Sequence, residues 1–357
     1  MGDTGLIQTT IGERGLTIRF PELGTDPVPI EPYFSDAHFE REREAIFRRT
    51  WLKLGRVEEV LRPGDFFVKD LPVCNTSILV VRGGDERILG FHNMCSHRGN
   101  KLVWEEKGSA QGFSCRMHGW TYQPDGSLRT VPDENMFYGL DKKACGLTPV
   151  RLGVWQGFIF VNLNPEESAT LEDYLGEAGR RIVDFPFHHA TARYTYRAEL
   201  RCNWKVALDA FTEGYHVVFI HGKWGAGTFT SSDNPLCQLP YAGLFGPHAV
   251  MGIYGNPDYR PRVTEALAQK WGAMFTKREA SAESWLPGAV NPGRTRNFAF
   301  ELTHFFPNFL VHVTDGTYFT HEFHPVAPDR TIWEGNTYYV SPRNMPGNAS
   351  VRSTRIY

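Results

Sequence analysis

Two short segments of the chain set a thiol beside an imidazole. The first is Cys95-Ser96-His97. The second, after a gap of seventeen residues, is Cys115-Arg116-Met117-His118. Each is followed by a glycine, Gly99 and Gly119, which lets the backbone close a tight loop around an ion. Two thiolates and two imidazoles suit two different metals. Zinc takes such a set tetrahedrally, commonly from C-x-x-C and H-x-x-x-H pairs in which like ligands come together. A two-iron, two-sulfur cluster takes both cysteines on one iron and both histidines on the other. Here each loop offers one donor of each kind, the mixture a cluster needs. Zinc and chance proximity stand as alternatives on the residues alone.

A second constellation lies in Asp209-Ala-Phe-Thr-Glu213-Gly-Tyr-His216-Val-Val-Phe-Ile-His221. His216 and His221 are five apart, which on a regular helix is a rotation of about 500°, so they would not share a face. A metal-binding pair here predicts a local widening such as a π-bulge. The alternative is two unrelated histidines on one helix. Two histidines with one carboxylate leave positions open for O₂ and substrate on a non-haem Fe(II).

The elements that must hold these residues are read from periodicity. Residues 1–34 carry several Pro and Gly and predict an extended arm. Ser35 is a candidate cap for a helix running through Trp51, with Phe39, Ile46 and Phe47 on one face. From 52 to 165 the pattern is of short strands (DFFVKD, TSILVVR, RILGFHN, GFIFVNL) separated by turn signals at Gly83-Gly84 and Pro124-Asp125-Gly126. Residues 166–185 read as a helix, YTYRAEL as a strand and NWKVALDAFTEGYHVVFIH as one helix. The segments FLVHV, TYFTHEFHPV and TIWEGNTYYV alternate as sheet strands. The expected fold class is α+β. Its expected divisions are an arm and helix at 1–51 packing with the catalytic part, an antiparallel β domain at 52–165, and an α+β domain at 166–357.

The bulk properties are those of an ordinary globular protein. The 357 residues carry a net charge of −2, with a pI near 6.7. There is no basic surplus of the kind that draws nucleic acid or an anionic membrane. No apolar run is long enough to span a bilayer. The N-terminus shows no cationic start followed by an apolar stretch, so no secretory signal is expected. Six cysteines in a chain of this length are too sparse for a disulfide scaffold. Reduced thiols and a cytoplasmic location are the expectation.

The loops around Cys95 and Cys115, followed by Trp120, resemble the Rieske motif. With Cys202-Asn-Trp-Lys205 and Glu213-x-x-His216-x₄-His221 downstream, the chain resembles the large (alpha) subunits of the Rieske-type non-haem iron aromatic-ring-hydroxylating oxygenases. That resemblance implies a Rieske β domain and a helix-grip catalytic domain with an antiparallel sheet, assembled as a trimer. It implies that Cys95 and Cys115 hold the inner iron of a [2Fe-2S] cluster and that His97 and His118 hold the outer one. It implies that His216 and His221 bind a mononuclear Fe(II). Glu213 matches the acid that links a cluster histidine of a neighbouring subunit to an iron-binding histidine. The implied activity is that of a terminal oxygenase. Electrons from NAD(P)H arrive through a reductase or ferredoxin, and O₂ is activated to hydroxylate an organic, aromatic or apolar substrate, with or without a small beta subunit. Oxidative N- or O-demethylation and simple electron carriage are the alternatives, and Glu at position 213 leans toward relatives that oxidise alkyl or amine substrates. In one respect the sequence departs from the family. The third iron ligand is there a carboxylate on a late helix. The sequence closes with NMPGNASVRSTRIY, in which no such helix is read, and truncation is the expected reason. Asp315, Glu322 and Glu334 fall in strand-like segments away from that position, so no third ligand is assigned. The stretch Thr303–Asn308 is similar to one near the family's active site, with His304 and Asn308 expected to be structural.

Overall fold

A computed structural model describes residues 5–8, 24, 26–190, 192–222, 226–267, 270, 284–294 and 297–340. The chain divides into two compact units. One comprises 35–174 with 324–327, and the other 1–34 with 175–323 and 328–357.

The first unit is built on antiparallel strands, as the period-2 runs require. Ile88–His92, Thr76–Arg82, Asp65–Leu71 and Lys107–Ser109 form one sheet in that order. Arg151–Trp155, Phe158–Asn162 and Trp51–Arg56 form a second, and Phe113–Ser114, Thr121–Tyr122 and Leu128–Thr130 a small third. Inward side chains of the first and third sheets share one core with the loops between them, among them Phe66, Leu79, Val81, Phe91, Trp120 and Tyr122, and both Cys95 and Cys115 belong to it.

Ser35 does cap a helix, accepting a hydrogen bond from the His38 N–H at 3.2 Å. That helix covers Asp36–Glu42, continues as a π turn over Arg43–Phe47, and stops there. Trp51 opens a strand instead of closing the helix. The expected boundary at 51 therefore differs from the partition seen, which groups residues 35–51 with the first unit. Arg43 Nε donates to the Val73 carbonyl at 2.6 Å and Arg48 to the Cys74 carbonyl at 3.0 Å, while Trp51–Arg56 pairs with Phe158–Asn162.

The eight-stranded sheet, which but for residues 324–327 belongs to the second unit, runs among the described residues in the order Gly5–Gln8, Tyr241–Phe245, His248–Tyr254, Phe298–Phe305, Phe309–Val313, Tyr318–Ala327, Arg330–Tyr339 and Ala192–Leu200. Gly5–Gln8 turns part of the expected extended arm into an edge strand paired with Tyr241–Phe245. The helix expected over 166–185 spans only Leu171–Arg181 and is interrupted at Gly176, whose backbone is non-helical with φ 51°. Its end is tied to the sheet by Arg181, which pairs with Glu301 at 2.7 Å; Tyr241 donates to the same carboxylate at 2.8 Å. Both charged groups are buried, and an unpaired charge there would be costly. Asn308 donates to the Phe323 carbonyl and His304 Nε2 meets the Pro307 carbonyl, so both do structural jobs.

The single helix expected over 203–221 is absent. Asn203 caps a short helix over Trp204–Asp209, and a second turn covers only Val217–Ile220. Between them, at Gly214, a Cβ would collide with the Cys237 carbonyl oxygen, which explains the glycine. No π turn occurs between His216 and His221. They stand instead at the entry and exit of the four-residue turn.

Candidate metal centres

The two cysteine loops are the same turn made twice. Gly99 N–H donates to the Cys95 carbonyl and Gly119 N–H to the Cys115 carbonyl, each at 2.9 Å. Cys95 N–H donates to the Asn100 carbonyl at 2.9 Å, and Cys115 N–H to that of Trp120 at 2.8 Å. The glycines have φ of 71° and 72°, the left-handed region, which explains the residue type at both positions.

These turns sort the donors by chemistry. Cys95 and Cys115 are buried, His97 is half-buried and His118 exposed. The imidazoles of His97 and His118 have centroids 4.8 Å apart, and His97 stacks on Trp120 at 4.6 Å with planes 8° from parallel. Tyr122, fully buried, brings its hydroxyl to 3.1 Å from Cys95 Sγ and accepts the Ser96 N–H. Asn100 Nδ2 donates to Cys115 Sγ at 3.7 Å. Burial raises the Cys95 thiol above its ordinary value, opposed by the Tyr122 hydroxyl and the His97 N–H. At Cys115 burial acts the same way, but the N–H groups of Met117 and His118 outweigh it, and that thiol is held below its ordinary value. Desolvation, and after it the charges of His118 and Arg98, hold His97 below its ordinary value.

Two features fit a cluster. His97 Nδ1 is buried with no hydrogen-bond partner, a nitrogen that a metal would satisfy. The two cysteines pair with each other and the two histidines pair with each other, the division that a two-iron cluster with one Cys end and one His end needs. Sequence reading missed Tyr122 and Asn100. Tyr122 opens no motif of its own, but it follows Trp120 by two residues and shares its core.

The second set also converges. His216 and His221 have ring centroids 5.2 Å apart at 70°. Glu213 accepts the His216 N–H at 3.1 Å through Oε2 and meets His216 Nδ1 through Oε1. A carboxylate on Nδ1 fixes that proton and leaves the Nε2 lone pair for a metal, the arrangement found behind metal-binding imidazoles. Asp209, one turn earlier, is raised by burial and by the Glu213 charge, against the Lys205 cation. Tyr215 is exposed and lies beside Phe219. Neither Glu322 nor Glu334 leaves its strand to join this pair, and Asp315 accepts the Trp285 N–H. The closing stretch in which no ligand helix was read, 341–357, lies outside the described residues.

Comparison with known proteins places these two sets in context. Residues 50–142 match the model of the Rieske [2Fe-2S] domain, and 187–355 that of the ring hydroxylating alpha subunit catalytic domain. The chain is 37% identical over 204 residues to the large oxygenase component of the naphthalene 1,2-dioxygenase system of Pseudomonas aeruginosa, covering 54% of this chain and 44% of that protein. It is 31% identical over 191 residues to the carnitine monooxygenase oxygenase subunit of Acinetobacter pittii, covering 52% and 49%. The chain thus spans about half the length of these curated relatives. Naphthalene 1,2-dioxygenase from Rhodococcus sp. superposes with a TM-score of 0.71 at 25% identity, covering 92% of this chain and 77% of that one. The quaternary ammonium Rieske monooxygenase CntA has the same fold, at a TM-score of 0.72 and 20% identity over 92% and 80% of the two chains. The chain thus carries a match to the Rieske [2Fe-2S] domain followed by a match to the catalytic domain of the ring hydroxylating alpha subunits.

Proposed function

We propose that this chain acts as the terminal oxygenase of a multicomponent system, taking electrons that originate in NAD(P)H from a ferredoxin or reductase and using O₂ to hydroxylate an organic substrate. One observation carries the reading. A mixed Cys/His double loop and a separate histidine pair backed by a carboxylate occur in one chain. When bound, the two metal centres supply single-electron transfer and O₂ activation.

The chain's own residues do the rest. Cys95 and Cys115 hold the inner iron of the cluster, buried where Tyr122 and Asn100 reach the sulfurs. His97 and His118 hold the outer iron at the surface. His216 and His221 hold the mononuclear iron, and Glu213 keeps the His216 ring turned and its Nδ1 protonated. Glu213 is also the carboxylate that meets His118 of a neighbouring subunit, which makes a homotrimer the working assembly, with or without a small beta subunit. No helix among the described residues is long and apolar enough to cross a membrane, and a cytoplasmic location is part of the proposal. So is an aromatic or otherwise apolar substrate body.

The test is an anaerobic iron and sulfide inventory with EPR of the reduced protein, then product analysis with a surrogate reductase. Three irons per chain, a Rieske signal and an oxygenated product are expected. Two irons per chain without turnover would point to an electron carrier. A second reading, oxidative N- or O-demethylation, is favoured by Glu at position 213 and by the carnitine monooxygenase relatives. Formaldehyde release from an N-methyl substrate distinguishes it.

A further inference from the structure

The segment carrying Glu213 and His216 covers one face of the large sheet. Phe211 is its contact, with ring centroids 4.6 Å from His321, 5.3 Å from Phe323 and 5.5 Å from Trp333. Strand register puts the histidines of this face side by side. Leu310 is opposite His321 and His312 opposite Phe319, so His312 and His321 are diagonal neighbours on the same side. Their rings are 5.0 Å apart, and Phe300 lies 5.2 Å from His312.

Two imidazoles interrupt an otherwise aromatic surface. His312 is 8% exposed, and its Nε2 has no hydrogen-bond partner among the described residues. A buried polar atom left so calls for water or a ligand. Trp333 Nε1–H donates to His321 Nδ1 at 3.1 Å, which leaves the proton of neutral His321 on Nε2. Burial pushes His321 down to about 4 and His312 well below its ordinary value, so both are neutral at pH 7. Phe211, Phe300, His321 and Trp333 are nevertheless each only half-buried.

We propose that His312 sets substrate specificity by receiving a neutral hydrogen-bonding substituent, such as a hydroxyl or carbonyl oxygen, on a flat aromatic substrate whose ring lies among Phe211, Phe300 and Trp333. This rests on the oxygenase reading and narrows its substrate class. A carboxylate substituent pairs best with a protonated imidazole, which burial disfavours here. A quaternary ammonium is held best where an anion stands beside the aromatic faces. On this sheet Glu301, Glu322 and Glu334 all alternate to the opposite face.

The test is calorimetry on the full metal-loaded chain under nitrogen, with 2-naphthol, naphthalene, 2-naphthoate and choline as probes. Binding of 2-naphthol about tenfold tighter than any other probe is expected, since a site built for a polar group discriminates against analogues lacking it. His312→Leu brings 2-naphthol level with naphthalene, while His312→Gln, which keeps a hydrogen-bonding end, retains the preference. Should His312→Leu not fold, His312→Phe makes the same comparison. Equal binding of 2-naphthol and naphthalene, tighter choline or 2-naphthoate binding, or a preference untouched in the Leu or Phe variant overturns the proposal. Binding needs no turnover. A chain that prefers 2-naphthol through His312 yet makes no product with reductase, NADH and O₂ refutes the oxygenase reading alone. One that turns over without the preference refutes the role of His312 alone.

Discussion

The imidazole of His97 lies flat on the indole of Trp120, with centroids 4.6 Å apart. Trp120 is itself buried in the core that holds both cysteines. The stack sets the ring plane of a half-exposed histidine from within the packed interior, so core packing and ligand orientation are one problem here. Trp120→Ala is expected to cost about 3–5 kcal/mol, as for other buried Trp truncations, and to lower the iron and sulfide content measured per chain. Trp120→Phe, which keeps a ring under His97, is expected to recover most of the cluster content.

Tyr122→Phe removes the hydroxyl that reaches Cys95 Sγ and accepts the Ser96 N–H. Hydrogen bonds to cluster sulfurs favour the reduced state. The reduction potential, read by redox titration, is expected to fall, with a stability loss of about 1–3 kcal/mol from the orphaned N–H. An unchanged potential would show that the hydroxyl serves Ser96 alone.

Glu213→Gln keeps shape and loses charge. Because the carboxylate backs His216 Nδ1, product formation is expected to drop by about 10- to 100-fold, the usual cost of losing such a partner. Mononuclear iron occupancy should fall as well, while the cluster EPR signal stays intact. A variant with full turnover would remove Glu213 from the machinery.

Acid should destabilise the second unit through buried histidines. His304 and His321 are each pushed by burial down to about 4 from 6.5. The folded state then binds fewer protons than the unfolded state between those values. Stability is full above about pH 6.5 and is lost as pH falls toward 4, by up to roughly 3 kcal/mol per histidine. Urea midpoints across that window check this, and His321→Gln should flatten the slope.

Arg181→Met strands the Glu301 carboxylate in the interior. A loss of about 3–5 kcal/mol in chemical denaturation is expected, and the double replacement with Glu301→Leu should restore much of it. If the single variant is as stable as the parent, the pair contributes nothing.

The strands were legible because DFFVKD, TSILVVR, GFIFVNL and the aromatic runs after Phe309 alternate with the pleat, and that pattern is local. The cysteine loops were legible because a glycine must follow each. The histidine pair was legible by type and spacing, but its backbone was not. The helix stops at Asp209, and Gly214 then passes too close for a Cβ to the carbonyl of Cys237, twenty-three residues away, a contact no periodicity reports. Trp51 was misplaced for the same reason, since its strand exists only by pairing with Phe158–Asn162. The polar face holding His312 stayed hidden because an alternating strand with a histidine reads like one with any half-buried side chain.

With Cys95 and Cys115 as the proposed cluster ligands, their place in the core ties manufacture of the protein to its supply of inorganic sulfide and iron. A chain synthesised during cluster scarcity would carry two bare thiols at the centre of its first unit, in the company of Phe66 and Leu79. Such a polypeptide is an unfinished fold open to proteolysis, so steady-state abundance in the cell would follow the capacity of the assembly machinery more closely than the rate of translation.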